Sequence, residues 1–369
     1  MYSPPSGEHK SGGFRSLRFA FLNSWRPGAA KGSGTAVAIS GLALGLERLG
    51  HRVEMLAPRP FTPSLTLNRL VYNARLMIRP PGDAFDVVVG FDIDGFLLPE
   101  AGLGNYGVCL FGISAEEMRF EKGWPRAYLG ALSHLERMNA RRARRTIVPS
   151  EHSRRIAIEA YGLSPERVSV VPLGIDLALW DSLAAAPPPR EDARPTILSV
   201  ARQYPRKNTR SLIAAMPEVR RAVPEALLRI VGGGPMLPAL KRQAGELGLG
   251  ADVEFWGEVA SDERVRRAFF QADVFALPSL QEGFGLVFLE AMAAGLPIVA
   301  ARAAAAPEVA PDGEAARLVS GEDAGELAAA LIALLKDDQS REKLGAGGRA
   351  RVRRHGWAEV ALLFAQSFG

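Results

Sequence analysis

Short apolar runs alternate with longer stretches of helical spacing along most of the chain. The runs are rich in Val, Ile, Leu and Phe, as inner strands of a parallel sheet covered on both faces must be. The pattern predicts strands over 17–22, 52–57, 86–89, 107–111, 146–148 and 168–171. It restarts over 196–200, 226–231, 253–256, 274–277 and 297–300, with a helix over 209–223 and a last one over 357–368. Such alternation implies an α/β protein of two doubly wound domains facing a central cleft, since ligands of these sheets bind beyond the carboxyl ends of the strands.

Punctuation between the runs divides the chain. Residues 184–195 read AAAPPPREDARP, and proline continues neither a helix nor an inner strand, so this segment is the expected linker. The first 16 residues are rich in Gly, Ser and Pro without a long apolar core, which reads as a flexible tail and not a secretory signal. The expected division is a tail over 1–16, an N-terminal domain over 17–183, the linker, a C-terminal domain over 196–350, and a terminal helix over 351–369 free to pack back on the first domain.

Composition narrows the class. At 369 residues, 47% hydrophobic and 23% charged, the chain is neither disordered nor an integral membrane protein, and no run reaches the ~18 apolar residues of a spanning helix. Cys109 is the only cysteine, which excludes an intramolecular disulfide and a thiolate cluster and fits a reducing compartment. The cytoplasm is the expected location. Charge is uneven: residues 1–172 carry 22 Lys and Arg against 15 Asp and Glu, a balance of +7, while the remainder is −2. A basic first half suits phosphate, an anionic membrane face or nucleic acid, and a merely solvated face would read alike.

Four stretches carry candidate chemistry. Gly32, Ser33 and Gly34 precede an apolar helix, where open backbone amides can meet an anion. Asp92 and Asp94 follow the run DVVVG and, two apart, could share a divalent cation; solvated loop acids are the commoner outcome. Arg202 and Lys207 follow the run ILSV on the loop before a helix, within reach of a bound diphosphate. The strongest is LPSLQEGFGLVFLEAMAAGLPIVA. Gly283 and Gly285 mark a turn, LVFLEAMAA reads as a helix ending at Gly295, and Glu290 lies inside it, eight residues after Glu282. An acid beside a phosphate site suits hydroxyl recognition better than anion binding. RIVGGGP, with three glycines after a strand, would admit a ligand close to the backbone.

Through RLGHRVEMLAP, VPSEHSRR, YGLSPERVSVVPLGID, ILSVARQYPRKN, RIVGGGP, the Glu282/Glu290 pair and PEVAPDG, the chain resembles family 4 of the retaining glycosyltransferases. The resemblance implies the B-type fold, two Rossmann-like domains, and transfer of a hexose from a nucleoside diphosphate sugar such as UDP- or GDP-hexose to a glycan, lipid or small-molecule hydroxyl. It implies that Arg202 and Lys207 neutralise the donor diphosphate, that Glu290 holds the ribose hydroxyls, and that Glu282 with the backbone of Gly283, Phe284 and Gly285 faces the transferred sugar. Ser33 and Gly34 would approach the diphosphate or the acceptor, and no metal or other cofactor is expected.

Two departures stand out. The family's histidine near Gly112 is missing from CLFGISAEEMRFEKG, leaving Asp92, Asp94, Glu116 or Glu117 to supply polar contacts, and Ala304-Ala305 replaces a glycine pair before Pro307. They leave open a nucleotide-sugar-binding homologue without turnover, while Asp92 and Asp94 leave open a metal-dependent transferase. Arg137, Arg141, Arg144 and Arg145 recur at helical spacing and suggest docking to an anionic membrane face. No aromatic residues interleave with them, so nucleic acid is not expected.

Overall fold

The computed structural model describes residues 15–25, 34–59, 62, 64–100 and 104–368. The first half of the chain folds as β1 (Arg18–Leu22), α1 (Gly34–Arg48), β2 (Arg52–Leu56), α2 (Leu65–Ile78), β3 (Val87–Phe91), β4 (Tyr106–Cys109), α3 (Ser114–Glu117), α4 (Gly123–Arg142), β5 (Arg145–Val148), α5 (Glu151–Tyr161), β6 (Val168–Val170) and α6 (Leu177–Ala185). Its six strands pair in parallel in the order β2-β1-β3-β4-β5-β6. The second half continues with β7 (Thr196–Val200), α7 (Thr209–Ala222), β8 (Leu227–Val231), α8 (Leu237–Glu246), β9 (Val253–Gly257), α9 (Asp262–Phe270), β10 (Val274–Leu277), α10 (Leu286–Ala294), β11 (Ile298–Ala301), α11 (Ala306–Val309), β12 (Ala316–Val319), α12 (Ala324–Lys336), α13 (Asp338–Val352) and α14 (Trp357–Gln366). Its sheet is also six-stranded and parallel, ordered β12-β11-β10-β7-β8-β9.

The predicted strands fall within a few residues of the observed ones; β12 alone was missed. ARLV is a short edge strand with an exposed arginine between a turn and a helix cap, too short to carry a periodic signal.

The tail expected over 1–16 falls mostly on residues outside the description; Ser16 is described, and its hydroxyl donates to the Gly50 carbonyl at 2.6 Å. The crossing between lobes lies upstream of the predicted linker. Trp180 on α6 already packs on the second lobe, with its ring 5.6 and 5.9 Å from those of Phe269 and Phe270 of α9. The proline segment is a strap of the second lobe, held where Arg190 donates to both oxygens of Asp273 at 2.9 Å.

The chain crosses back after α13. There Ile175 bridges to Gly356, so the two crossings run side by side. Helix α14 then packs on α1 of the first lobe. The approach is close because Gly41 and Gly45 have no side chain: a Cβ on Gly41 would lie 2.0 Å from the Trp357 ring.

Candidate active site

In the second sheet β7 lies beside β10 although β8 and β9 intervene in sequence, which makes their carboxyl ends the switch point where ligands of such sheets bind. The loop after β7 carries Arg202, Arg206 and Lys207; the loop after β10 carries Glu282 to Gly285 and opens α10. Lys207 Nζ meets Glu282 Oε1 at 2.5 Å, with only 15% and 9% of the two side chains exposed. The structure thus joins two of the residues singled out from sequence. Arg202 is exposed beside the Tyr204 ring, its guanidinium carbon 6.0 Å from the ring centre.

The turn before α10 is dictated locally. Gly285 caps the helix at φ 90°, a left-handed conformation that a side chain rarely adopts, and a Cβ there would strike the Phe288 ring at 2.6 Å. The Phe284 ring is buried edge-on to His355 at 5.7 Å, so the residue reaches the cleft through its backbone. Glu290 is half-buried on α10, and among the described residues no hydrogen bond reaches its carboxylate. Burial pushes it up to about 7, with Arg266 opposing and Asp262 adding to the rise.

Helix α1 begins opposite. A Cβ on Gly34 would stand 3.4 Å from Leu286 Cδ1, so α1 and α10 start against each other from the two lobes. Ser33 lies outside the described residues. The start of a helix carries roughly half a positive charge, so the convergence is unfavourable unless an anion lies between.

Arg206, which sequence reasoning passed over, spans the cleft. Its Nη2 donates to Glu117 Oε1 at 3.1 Å, its guanidinium covers the Tyr204 ring at 4.8 Å, and its buried Nε has no partner among the described residues. Only the adjacency of two cations in PRK hinted at it. Glu117 occupies the space beside Gly112 where the family's histidine was expected: a Cβ on Gly112 would lie 3.1 Å from Glu117 Oε1. An imidazole comes from elsewhere. His152 of α5 holds Glu116 Oε1 at 2.7 Å, and Arg155 lies 3.1 Å from its Nδ1; since arginine only donates, the His152 proton sits on Nε2. Burial would raise the Glu116 pKa, but hydrogen bonds from His152 and Gln281 outweigh it and hold the carboxylate below its usual range.

Asp92 and Asp94 are neither solvated nor paired around an open cation site. Asp94 is fully buried, accepting from the Ser24 amide at 2.8 Å and hydroxyl at 2.6 Å, with Arg69 Nε 3.7 Å away. Asp92 sits at φ 55° with Arg69 Nη2 3.9 Å from it, and burial pushes its carboxyl up to about 6. One guanidinium serves both acids, so the metal-dependent alternative loses its ligands. Among the described residues no group of three or more His, Cys, Asp or Glu side chains is placed to hold a metal ion.

The glycines of RIVGGGP close on protein. Cβ atoms on Gly232 and Gly234 would strike Ala201 O at 2.0 Å and Gln203 N at 2.6 Å, so they let this loop pack against the one carrying Arg202. Of the Ala304-Ala305 pair, Ala304 holds a left-handed φ of 51° and Ala305 donates its amide to the Glu282 carbonyl at 3.3 Å. The basic stripe disperses. Helix α4 ends at Arg142, Arg141 Nε donates to Tyr161 O at 2.8 Å, and Arg145 opens β5 and bonds Glu166 O, while Arg137 and Arg144 stay exposed. Among the described residues no helix is long and apolar enough to cross a membrane.

A family model described as Glycosyl transferases group 1 matches residues 184–351, and one described as Glycosyltransferase Family 4 matches residues 113–179. The GDP-mannose-dependent alpha-(1-6)-phosphatidylinositol monomannoside mannosyltransferase of Mycolicibacterium smegmatis is 40% identical over 163 residues, 42% of each chain. The phosphatidyl-myo-inositol mannosyltransferase of the same organism is 39% identical over 58% of this chain and 54% of its own. The chain therefore spans about half the length of these curated relatives, or less. Among solved structures, HepE of Anabaena with UDP and glucose superposes with a TM-score of 0.72 at 20% identity, covering 95% of this chain and 99% of that one. Sucrose-phosphate synthase of Thermosynechococcus elongatus superposes at 0.76 with 21% identity, over 95% and 98%. Two facing parallel sheets, a site at their switch points and matches from both family models lead to one assignment: the chain belongs to the family 4-type glycosyltransferases of the B-type fold.

Proposed function

We propose that the protein transfers a hexose from a nucleoside diphosphate sugar to an acceptor hydroxyl with retention at the anomeric carbon. One observation supports the reading: the starts of α1 and α10 meet across the cleft, and the loop that opens α10 pairs Glu282 with Lys207, an arrangement that suits a diphosphate. On this reading the bond from the anomeric carbon to the phosphate oxygen breaks, the acceptor oxygen takes its place on the same face, and the departing phosphate oxygen receives the acceptor's proton. Lys207, Arg202 and the amides opening α10 stabilise the negative charge that develops. Glu290, free of hydrogen bonds among the described residues, accepts from the ribose hydroxyls, and Glu282 faces the sugar. No metal takes part, because the cations do its work.

Relatives named for GDP-mannose make a guanosine diphosphate mannose the first donor to try. A lipid-linked acceptor is favoured by the surface beside the first lobe's cleft. Trp124 is 78% exposed next to Lys122, and the Thr66 hydroxyl bonds that of Tyr128 at 2.9 Å, bringing exposed Leu67 and Leu70 of α2 against α4. Such a face at a cytoplasmic membrane surface would meet acceptor headgroups.

The test is donor turnover by purified protein with GDP-mannose or UDP-glucose, with and without phosphatidylinositol vesicles, reading released nucleotide and the product's anomeric configuration by NMR. Nucleotide release that rises with vesicles, and an α-linked product, support the proposal. Binding without any release supports the homologue lacking turnover, and failure of both donors to bind overturns the reading.

A further inference from the structure

We infer that Ser150 and Ser153 of the first lobe are positioning residues for the donor-facing loop of the second, engaged only when the lobes are together. This rests on the donor site proposed above. The Gly283 carbonyl accepts two hydroxyls from across the cleft, Ser150 Oγ at 2.7 Å and Ser153 Oγ at 3.0 Å. Both serines are buried at the start of α5, where Ser150 also caps the helix by accepting the Ser153 amide at 3.0 Å.

A trans peptide sets its C=O and the next N–H in opposite directions. Holding the Gly283 carbonyl toward α5 therefore aims the Phe284 amide away from α5. The loop has no slack there, since a Cβ on Gly283 would lie 2.7 Å from the Phe111 carbonyl of the first lobe.

A second set of bonds fixes α5 itself. Glu308 of α11 reaches across to accept the His152 amide at 2.7 Å and the Glu151 amide at 2.8 Å, one on each carboxylate oxygen. These are first-turn amides of α5, the end where a negative charge is favoured. From the other side, the Ala305 amide holds the Glu282 carbonyl at 3.3 Å. The segment that opens α11 thus grips both α5 and the loop that α5 orients. Lobe closure and orientation of the amides at 283–285 become one event, and the site is complete only in the closed form.

Four variants and the wild type decide it, measured for steady-state GDP-mannose hydrolysis and for radius of gyration by small-angle X-ray scattering. Ser153→Ala removes a hydroxyl without removing the cap, and the double variant S150A/S153A removes both donors to Gly283. Ser153→Thr keeps a hydroxyl. Ser261→Ala deletes a comparable cap at the start of α9, whose hydroxyl accepts the Arg264 amide, far from Gly283 in the chain.

The expectation is that S150A/S153A lowers kcat about tenfold or more with KM within about threefold, because misaligned groups lose rate more than binding. Ser153→Ala is intermediate, Ser153→Thr near normal, and Ser261→Ala loses thermal stability without losing kcat. S150A/S153A also has a larger radius of gyration than wild type. An unchanged kcat and radius in the double variant, or an equal kcat loss in Ser261→Ala, overturns the inference. Should wild type hydrolyse no GDP-mannose, that result bears on the functional reading alone, and the radius of gyration still decides whether these serines hold the lobes together.

Discussion

Consider the Lys207–Glu282 pair, separated by 2.5 Å with 15% and 9% of the side chains exposed. At an effective dielectric of about 20, that separation gives a gross attraction of roughly 7 kcal/mol, most of which offsets the cost of taking both charges out of water. Removing one member strands the other. Lys207→Met should therefore destabilise the fold by about 3 kcal/mol, near the low end for broken buried pairs because a little solvent remains. Glu282→Gln should behave similarly, and the double variant should lose less than the two singles together, with a coupling of about 1–3 kcal/mol. Urea unfolding of the four proteins measures this. Activity should follow a different rule. If Lys207 stabilises the leaving diphosphate, Lys207→Met loses roughly 10²–10³ in donor turnover, and adding Glu282→Gln restores stability but not rate. Additive stability losses would remove the pair from the account. Turnover within a few-fold of wild type in Lys207→Met would remove the diphosphate from beside it.

Three further outcomes are expected. Glu290, pushed up to about 7 by burial, must be ionised to accept ribose hydroxyls, so donor affinity should rise by up to about tenfold between pH 6 and 8 and be flat in Glu290→Gln; calorimetric titration across that range checks it. Glu136 is buried against the Ser114 amide at 3.0 Å, and burial pushes its carboxyl up to about 8. The folded state thus binds more protons than the unfolded one between the ordinary carboxylate range and pH 8. Its stabilisation is complete below that range and drains as pH rises through 8, at up to about 1.4 kcal/mol per pH unit; Glu136→Gln should flatten this dependence in urea melts, and an unchanged slope would contradict the assignment. Gly45→Ala should destabilise the protein by about 1–3 kcal/mol although alanine is the better helix former, because the added Cβ would lie 2.4 Å from the Trp357 carbonyl; a gain in stability would show that α14 does not press on α1.

The sequence by itself determined the sheets. Runs such as VVVGF and LLRIV are apolar on both faces, and only the interior of a parallel sheet accepts that. It also determined the turn at Gly285 and the end at Gly295, since both helix caps need left-handed backbone. The placing of Lys207 and Glu282 on loops and of Glu290 inside a helix was legible because such positions follow from neighbours in the chain.

Contacts between distant segments were not legible. Asp92 and Asp94 read as loop acids, and only the fold delivers Arg69 to both from α2. The linker was placed at the prolines, but the aromatic contact of Trp180 with α9, which no local pattern encodes, moved the crossing upstream. Arg206, His152, Ser150 and Glu308 lie within the quoted motifs, yet nothing local marks which partner each one meets. Their roles come from partners contributed by the opposite lobe, and burial across a cleft is a property that only the assembled chain possesses.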